Sequence, residues 1–453
     1  MSNKQEDYMT SRLEEVERII DEEYCTAEDI MESLERTEKG SVKGSLENCM
    51  YVLRHDPILR EAIKKNEMTG RINLVKNLGW NRAGASITDN DEYQIFWYFE
   101  KKYEIFNERK IKQAISMVAE ENKYHPIKEY LESLVWDGVP RMVKVLTKYL
   151  GVEENRYSYE VMHLLTQAMI HRIYEPGCKF EIMVCLVGGQ GAGKSSFFRL
   201  LTSNDEWFTD DLKRLDDDKV YRKLQGHWMI EMSEMIATSN ARSIEDIKSF
   251  ISRQKDSYKI PYETHPEDRL RQCVFVGTSN NMDFLPLDRT GNRRFAPVLV
   301  HKDAIEKHIL EDEGESREYM KQLWAEAYEI YRSDDKHVLK FSKETEEHLR
   351  KLQMEFMPED TNAGLIFAWL DDFKEDYVCS RMIYKYALNH EYDEPKQWEI
   401  SEINKIMNDR SDDWEKVSSH RFGEYGIQRG WRRISKDRNE FIQVNEQMDL
   451  PFK

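Results

Sequence analysis

Apolar positions near the start of the chain recur at helical spacing. Leu13, Val16, Ile19 and Ile20 stand among acids between residues 8 and 36, which predicts an exposed amphipathic helix, a leader or partner arm. Lys39-Gly40-Ser41 predicts its end. From Leu46 to Ala119 the spacing stays mostly helical, broken by GWNRAGASITDND and resumed in DEYQIFWYFEKKY, with Thr88, Asp89 or Asn90 as the cap of the resumed helix. Further on, Pro126 opens a helix, Asp137-Gly138 turns the chain, and Tyr159 to Tyr174 reads as another helix.

The pattern then changes. A strand beginning near Lys179 runs through MVCLV, and three later runs are similarly short and apolar: His227 to Met232, Gln272 to Asn280 and Arg293 to Val300. Runs of this length, apolar throughout, predict strands buried on both faces, and the helical stretches between them, SIEDIKSFISR included, predict an open parallel sheet with helices on its faces. After about residue 345, FAWLDDFKEDYVCSRMIYKYALNH and EISEINKIMNDR predict two or more helices. Trp414 to Val444 alternates like a short β-hairpin, and helices followed by a basic hairpin suggest a winged-helix module.

Composition narrows the class. The chain has 453 residues, 40% hydrophobic and 34% charged, which suits a soluble globular protein of several domains and has too many aromatics for disorder. No apolar run approaches the roughly 20 residues of a membrane helix, and the N-terminus lacks the basic and apolar regions of a secretory signal, so a cytoplasmic protein without membrane contact is expected. The six cysteines are scattered with no CxxC spacing, which argues against a zinc site or a disulfide framework; Cys185 and Cys273 lie in apolar runs as small hydrophobes. A net charge of −18 weighs against a surface wholly devoted to nucleic acid, yet allows cations confined to a groove or channel.

The chemistry centres on VCLVGGQGAGKSSFFRLL. Gly188, Gly193, Lys194 and Ser195 match GxxxxGK[ST], with further glycines at Gly189 and Gly191 and with Ala192 and Ser196 completing the loop. In such a loop backbone N–H groups cradle phosphates, Lys194 reaches the β and γ phosphates, and Ser195 ligates Mg²⁺. A glycine-rich turn without a ligand is the plain alternative. The run WMI leads to Glu231, with Glu234 one turn on; Glu231 is assigned to the metal and Glu234 to the attacking water, an order open to reversal. Asn280 ends another strand, where an amide holds attacking water or simply forms an Asn-Asn turn. Arg289, Arg293 and Arg294 follow, candidates for a finger reaching a phosphate in the same or a neighbouring subunit, or for surface ion pairs. The stretch between Ser252 and Arg269, rich in cations and tyrosines, predicts a loop gripping a nucleic-acid backbone. This order of P-loop, acid, Asn and arginines fits an AAA+ motor; no Asn-Lys-x-Asp motif reads guanine, and no base faces an acceptor hydroxyl as in a metabolite kinase.

The segments NKYHPIKEYLESLVWDGVPRM, VGGQGAGKSSFFRLL, WMIEMSEM, KSFISRQKDSYKIPYE, FVGTSNN and DRTGNRRFAPV resemble, in that order, the virulence-associated protein E family. The resemblance spans roughly residues 45 to 340, and YGIQRGWRR near the end is similar to that family's small C-terminal part. It implies an ATPase encoded by phages, prophages or pathogenicity islands, related to superfamily 3 helicases and to the helicase part of poxvirus-type primase-helicases. It further implies a homo-hexameric ring that hydrolyses ATP with Mg²⁺ at subunit interfaces, moving 3′ to 5′ on single-stranded DNA during replication of a mobile element. Lys194, Ser195, Glu231, Glu234, Asn280, Arg293 and Arg294 fall on its motif positions. Lys255 and Lys259 fall where pore-loop contacts with DNA are expected, although Lys259 stands where some relatives have arginine.

The expected fold is thus α/β: an acidic helical arm over 1–40, a helical collar-like domain over 41–150, an AAA+ P-loop NTPase core over 151–345, and a winged-helix-like domain over 346–453. Longer relatives carry a primase upstream; the short segment here lacks an acid triad, so no primer synthesis is expected. The favoured reading is an ATP-driven helicase or translocase acting on fork or origin DNA, with phage or host replication proteins as further partners. Two others stay open. One is a nucleotide-dependent initiator or loader using the basic residues Arg429, Arg432 and Arg433; the other is a P-loop regulator whose acidic arm contacts proteins.

Overall fold

Caps and turns written into the chain fix where its elements begin. The computed structural model describes residues 26–212, 215, 220–233, 241–258, 267–286, 292–334 and 338–434. The arm predicted over residues 8–36 falls mostly outside the described residues, as do Glu234, Lys259, Arg289 and the last part of the predicted hairpin. The chain divides into two compact units between Met357 and Pro358.

The first unit opens with α1 (Ala27–Ser33), α2 (Leu46–His55), α3 (Asp89–Tyr103) and α4 (Glu108–Glu121). Of the three candidates, Thr88 caps α3: its hydroxyl accepts from the Asp91 backbone N–H while Asp91 reaches back, a reciprocal box that satisfies two otherwise free donors. The helical expectation for this region is incomplete. Two strands between α2 and α3 and one after α4 form a sheet in the order β2 (Ile72–Leu74), β1 (Ile63–Asn66), β3 (Lys123–Tyr124). Strands of two to four residues are too short to show a period of two.

Asn155 caps a helix that starts before Tyr159. After α5 (Pro126–Glu132), with Pro126 in its first turn, come α6 (Val145–Leu150) and α7 (Arg156–Tyr174). The core sheet follows, five strands in the order β10 (Phe295–Leu299), β4 (Met183–Val187), β9 (Val274–Ser279), β6 (Met229–Ser233), β5 (Phe208–Thr209), all parallel. The two-residue β5 escaped the hydrophobic pattern. Alternate strand residues serve opposite faces, so Val184, Leu186, Val274 and Val276 join one core with α7, α8 (Lys194–Leu201) and α11 (Glu313–Ser333). Met183, Cys185, Ile230, Met232 and Phe275 join the other core with α10 (Ala241–Ile251), α9 (Val220–Leu224) lying before it. Trp228 and Trp324 stack in the first core, their ring centroids 4.3 Å apart, adding about 0.5–1.5 kcal/mol to the burial of their surface. Helix α12 (Lys343–Glu355) packs on β10 and closes the unit.

Because the sheet is parallel, it has two chemically distinct ends. The chain leaves β4 toward β5 at one side, yet leaves β9 toward β10 at the other, so the connections part between adjacent strands β4 and β9. A crevice opens at the carboxyl ends of strands where connections diverge in this way. At the opposite end, β7 (Lys255–Tyr258) and β8 (Glu267–Leu270) form an antiparallel hairpin just before β9. Its base is fixed by Arg271, which is buried, donates to both Asp256 carboxylate oxygens at 2.7 and 2.8 Å, and lies over the Phe250 ring.

The second unit packs α13 (Thr361–Asp372) and α14 (Gln397–Asn408) with a sheet in the order β11 (Tyr377–Val378), β13 (Ile427–Arg433), β12 (Trp414–Arg421), all antiparallel. The hairpin expected from Trp414 is therefore present over β12 and β13, and a short third strand joins it. Among the described residues no helix is long and apolar enough to cross a membrane.

Candidate functional site

The loop from Gly188 to Gly193 leaves β4 at the crevice and turns into α8. Two of its glycines are obligatory for separate reasons. A Cβ at Gly188 would stand 2.6 Å from the Val300 carbonyl oxygen, and Gly193 has φ +78, a left-handed conformation that starts the helix. Lys194 is buried in the loop it closes. Its ammonium donates to the Gly188 carbonyl at 2.7 Å, the Gly189 carbonyl at 2.9 Å and Asn280 Oδ1 at 2.9 Å. The structure thus brings Lys194 and Asn280, from the ends of two adjacent strands, to one point.

Glu231 does not end its strand as expected. β6 continues to Ser233, because Met232 and Ser233 still pair with Gly277 and Thr278 on β9. Glu231 therefore points from within the sheet, on the face covered by α8, and is 0% exposed. Its Oε1 accepts from Ser195 Oγ at 2.7 Å, from Ser233 Oγ at 2.9 Å and from Thr278 Oγ1. Its Oε2 is buried without a hydrogen-bond partner. A buried charged oxygen left so is costly, and its natural complement is a cation. Ser195 and Glu231 could supply two protein oxygens to Mg²⁺, which usually takes one or two protein ligands and completes its shell with phosphate and water. Among the described residues no three His, Cys, Asp or Glu side chains gather as a self-contained metal cage.

Around these groups lies a cleft of about 420 Å³, lined by Gln190 through Ser196, Ser233 and Thr278 through Asn280, with His308 and Leu310 on another wall. Its size suits a small polar ligand. Gly189 bears no contact that a side chain would meet, whereas at Gly191 a Cβ would stand 3.6 Å from the Lys302 ammonium. Sequence reasoning missed Ser233, Thr278, Lys302, His308 and Leu310. The two hydroxyls were readable in principle, since alternate positions of β6 and β9 place Ser233 beside Glu231 and Thr278 on the same sheet face. HKDAIEKHILEDEGE carried no such signal.

The arginines lie elsewhere. Phe295 pairs with Met183, the first residue of β4, so Arg293 and Arg294 sit at the amino ends of the strands. The glycine loop begins after Val187, five residues on from Met183, which is about 16 Å along the sheet. Arg294 Nε approaches Glu181 at 3.5 Å and donates to Ser252 Oγ at 3.0 Å; Arg293 lies 3.8 Å from Glu181 and its side chain is 72% exposed. Of the three expectations for them, a phosphate in their own subunit is out of reach, while both approach Glu181 as in the ion-pair reading. Lys255 is also at this end, exposed at the base of the β7–β8 hairpin and paired with Asp268 at 2.5 Å.

In the second unit, Arg433 donates to the Leu370 and Phe373 carbonyls and stacks over Trp414 at 4.6 Å, while Arg432 pairs with Glu415. The basic cluster expected there is therefore partly spent inside the unit. Lys416, Arg421 and Arg429 remain exposed.

A profile of the virulence-associated protein E-like domain matches residues 131–358. Among solved structures, an A-form apo structure of the NrS-1 C-terminal region is similar at 13% identity with a TM-score of 0.47, covering 82% of this chain and 96% of that one. Two further apo structures of the same region give TM-scores of 0.44 and 0.43 at the same identity and coverage. A comparison with curated proteins gives no match. The domain match takes in the phosphate loop, Glu231, Asn280 and the arginine pair and spans half of the sequence, and the chain belongs to the virulence-associated protein E-like family.

Proposed function

We propose that the chain is an AAA+ type ATPase that works as a DNA helicase or translocase in replication of a phage, prophage or related element. The observation that carries the reading is the meeting of Ser195 and buried Glu231 at 2.7 Å, with Glu231 Oε2 unpartnered, beside the Lys194 loop. The sheet supports it too: five parallel strands flanked by helices are the core that the sequence led us to expect.

Each side chain then has a task. Bound with ATP, Mg²⁺ would neutralise charge developing on the β and γ oxygens. Ser195 and Glu231 would hold that ion, and the unpartnered Glu231 Oε2 favours the metal role for Glu231 and leaves the water to Glu234. With phosphate bound, the Lys194 ammonium would exchange the neutral acceptors Gly188, Gly189 and Asn280 for phosphate oxygens, and the Asn280 Oδ1 that now accepts from Lys194 would turn to positioning water. Arg293 or Arg294, too far from their own loop, serve the site of a neighbouring copy in a homo-hexameric ring. Lys255, at the base of the β7–β8 hairpin, would face single-stranded DNA.

A second reading, an origin-binding initiator or helicase loader, draws on the exposed Lys416, Arg421 and Arg429 of the winged-helix-like second unit. The test is ATP hydrolysis with and without single-stranded DNA, for wild type and Lys194→Ala, with oligomer size recorded in the same buffers, followed by fork unwinding. DNA-stimulated hydrolysis and unwinding by a ring, both lost in the variant, are expected. Duplex binding without unwinding would favour the loader, and full turnover by Lys194→Ala would overturn the site.

A further inference from the structure

Resting on the nucleotide reading above, we infer that the turn His308–Leu310 is the wall against which the ribose and base of the nucleotide lie. The cleft is strongly polar where Ser195, Thr278 and Asn280 line it, with Glu231 buried behind the two hydroxyls that bond it, and this part suits the terminal phosphates and their cation. The base must then extend the other way along the loop. Leu310, 44% exposed, is the one large apolar side chain in a lining otherwise made of small and polar residues, and a leucine there has no other evident use.

The turn is held rigidly enough to be a wall. Val300 continues β10 by donating to the Val187 carbonyl, His301 donates to Leu150, and Lys307 to Lys148. Ile309, between the two lining residues, is 0% exposed, and its carbonyl accepts from Ser316 Oγ at 2.8 Å. These bonds tie the segment to α6 and α11 on one side and to the sheet on the other.

His308 is also poised in a definite chemical form. Its Nδ1 accepts from the Leu310 backbone N–H at 3.3 Å, so the neutral ring carries its proton on Nε2. That nitrogen overlies Gly193, where an added Cβ would meet it at 3.2 Å. The N–H therefore faces the point at which the phosphate loop becomes helix, and it donates to an oxygen of the nucleotide's phosphoribosyl part. Leu310 packs on the base, and the apolar contact makes no demand on hydrogen bonds at the base edge.

Calorimetric titration of the full chain with Mg²⁺ and either ADP or inorganic pyrophosphate tests this. Leu310→Ala should weaken ADP about tenfold, the loss expected for one apolar side chain, and leave pyrophosphate unchanged. His308→Ala should likewise weaken ADP, with His308→Gln, which keeps a side-chain N–H, recovering part of it. ADP binding by Leu310→Ala equal to wild type, or an equal loss for ADP and pyrophosphate, would overturn the inference while the phosphate site stands. Failure of the wild type to bind either probe would instead overturn the nucleotide reading and this wall with it.

Discussion

Thr278→Val removes one hydroxyl and almost nothing else, at a position where the hydroxyl serves a buried charge. Thr278 is 9% exposed and Glu231 0%, so water is poorly placed to replace the lost donor. A hydrogen bond to a charged group contributes about 1.5–3 kcal/mol. Because Ser195 and Ser233 still donate to the same oxygen, the carboxylate is not stripped bare, and the lower part of that range, about 1.5–2 kcal/mol, is the expected destabilisation. Thr278→Ser keeps the hydroxyl, loses a methyl, and should cost less than the valine variant. Urea unfolding at neutral pH measures both, with tryptophan fluorescence as the signal, since Trp228 and Trp324 lie in the core beside this sheet. A valine variant as stable as wild type would show that Thr278 does not support Glu231 and would remove one side of the cation site described above.

Other expectations follow from the same contacts. His125 caps α5 by accepting from the Lys128 N–H, and burial lowers its pKa to about 4. A histidine whose folded pKa lies below its unfolded value keeps its full contribution above about pH 6.5 and loses it as pH falls toward 4, by roughly 3 kcal/mol; His125→Asn should flatten that part of a urea-midpoint profile. If Arg293 acts on a neighbour, inactive Lys194→Ala and inactive Arg293→Ala chains mixed before assembly should regain part of the ATPase rate, and no recovery would refute the trans assignment. In the second unit, Arg433→Ala should lower stability by about 1–3 kcal/mol through two unpaired carbonyls. Arg429→Ala should leave melting unchanged and reduce the salt slope of any DNA affinity by about one ion.

Local signals were the ones the sequence disclosed. The phosphate loop is contiguous, its glycines answer to backbone geometry, and the apolar runs around it are buried on both faces, so loop, β4, β6, β9 and β10 were all legible. The start at Pro126 was legible for the same reason, and the cap of α3 was narrowed to Thr88, Asp89 or Asn90. What escaped depends on partners distant in sequence or on elements too short for periodicity. Thr278 owes its meaning to a carboxylate 47 residues earlier, reached only because β6 and β9 pair in one register. The same register moved Glu231 from the strand end into the sheet. His308 and Leu310 lie at the cleft because backbone bonds fold their loop against α6, which composition does not encode. Arg293 and Arg294 kept their motif order, yet the direction of β10 put them at the other end of the sheet.

That two-ended sheet has a mechanical consequence. β9 carries Asn280 just past its carboxyl end, and just before its amino end Arg271 clasps Asp256 in the hairpin. Its six residues span about 20 Å, and a strand bonded to β4 on one side and β6 on the other cannot lengthen or bend alone. It behaves as a stiff pushrod. A shift at the Lys194–Asn280 end would reach the Arg271–Asp256 clasp only as a movement of the whole sheet.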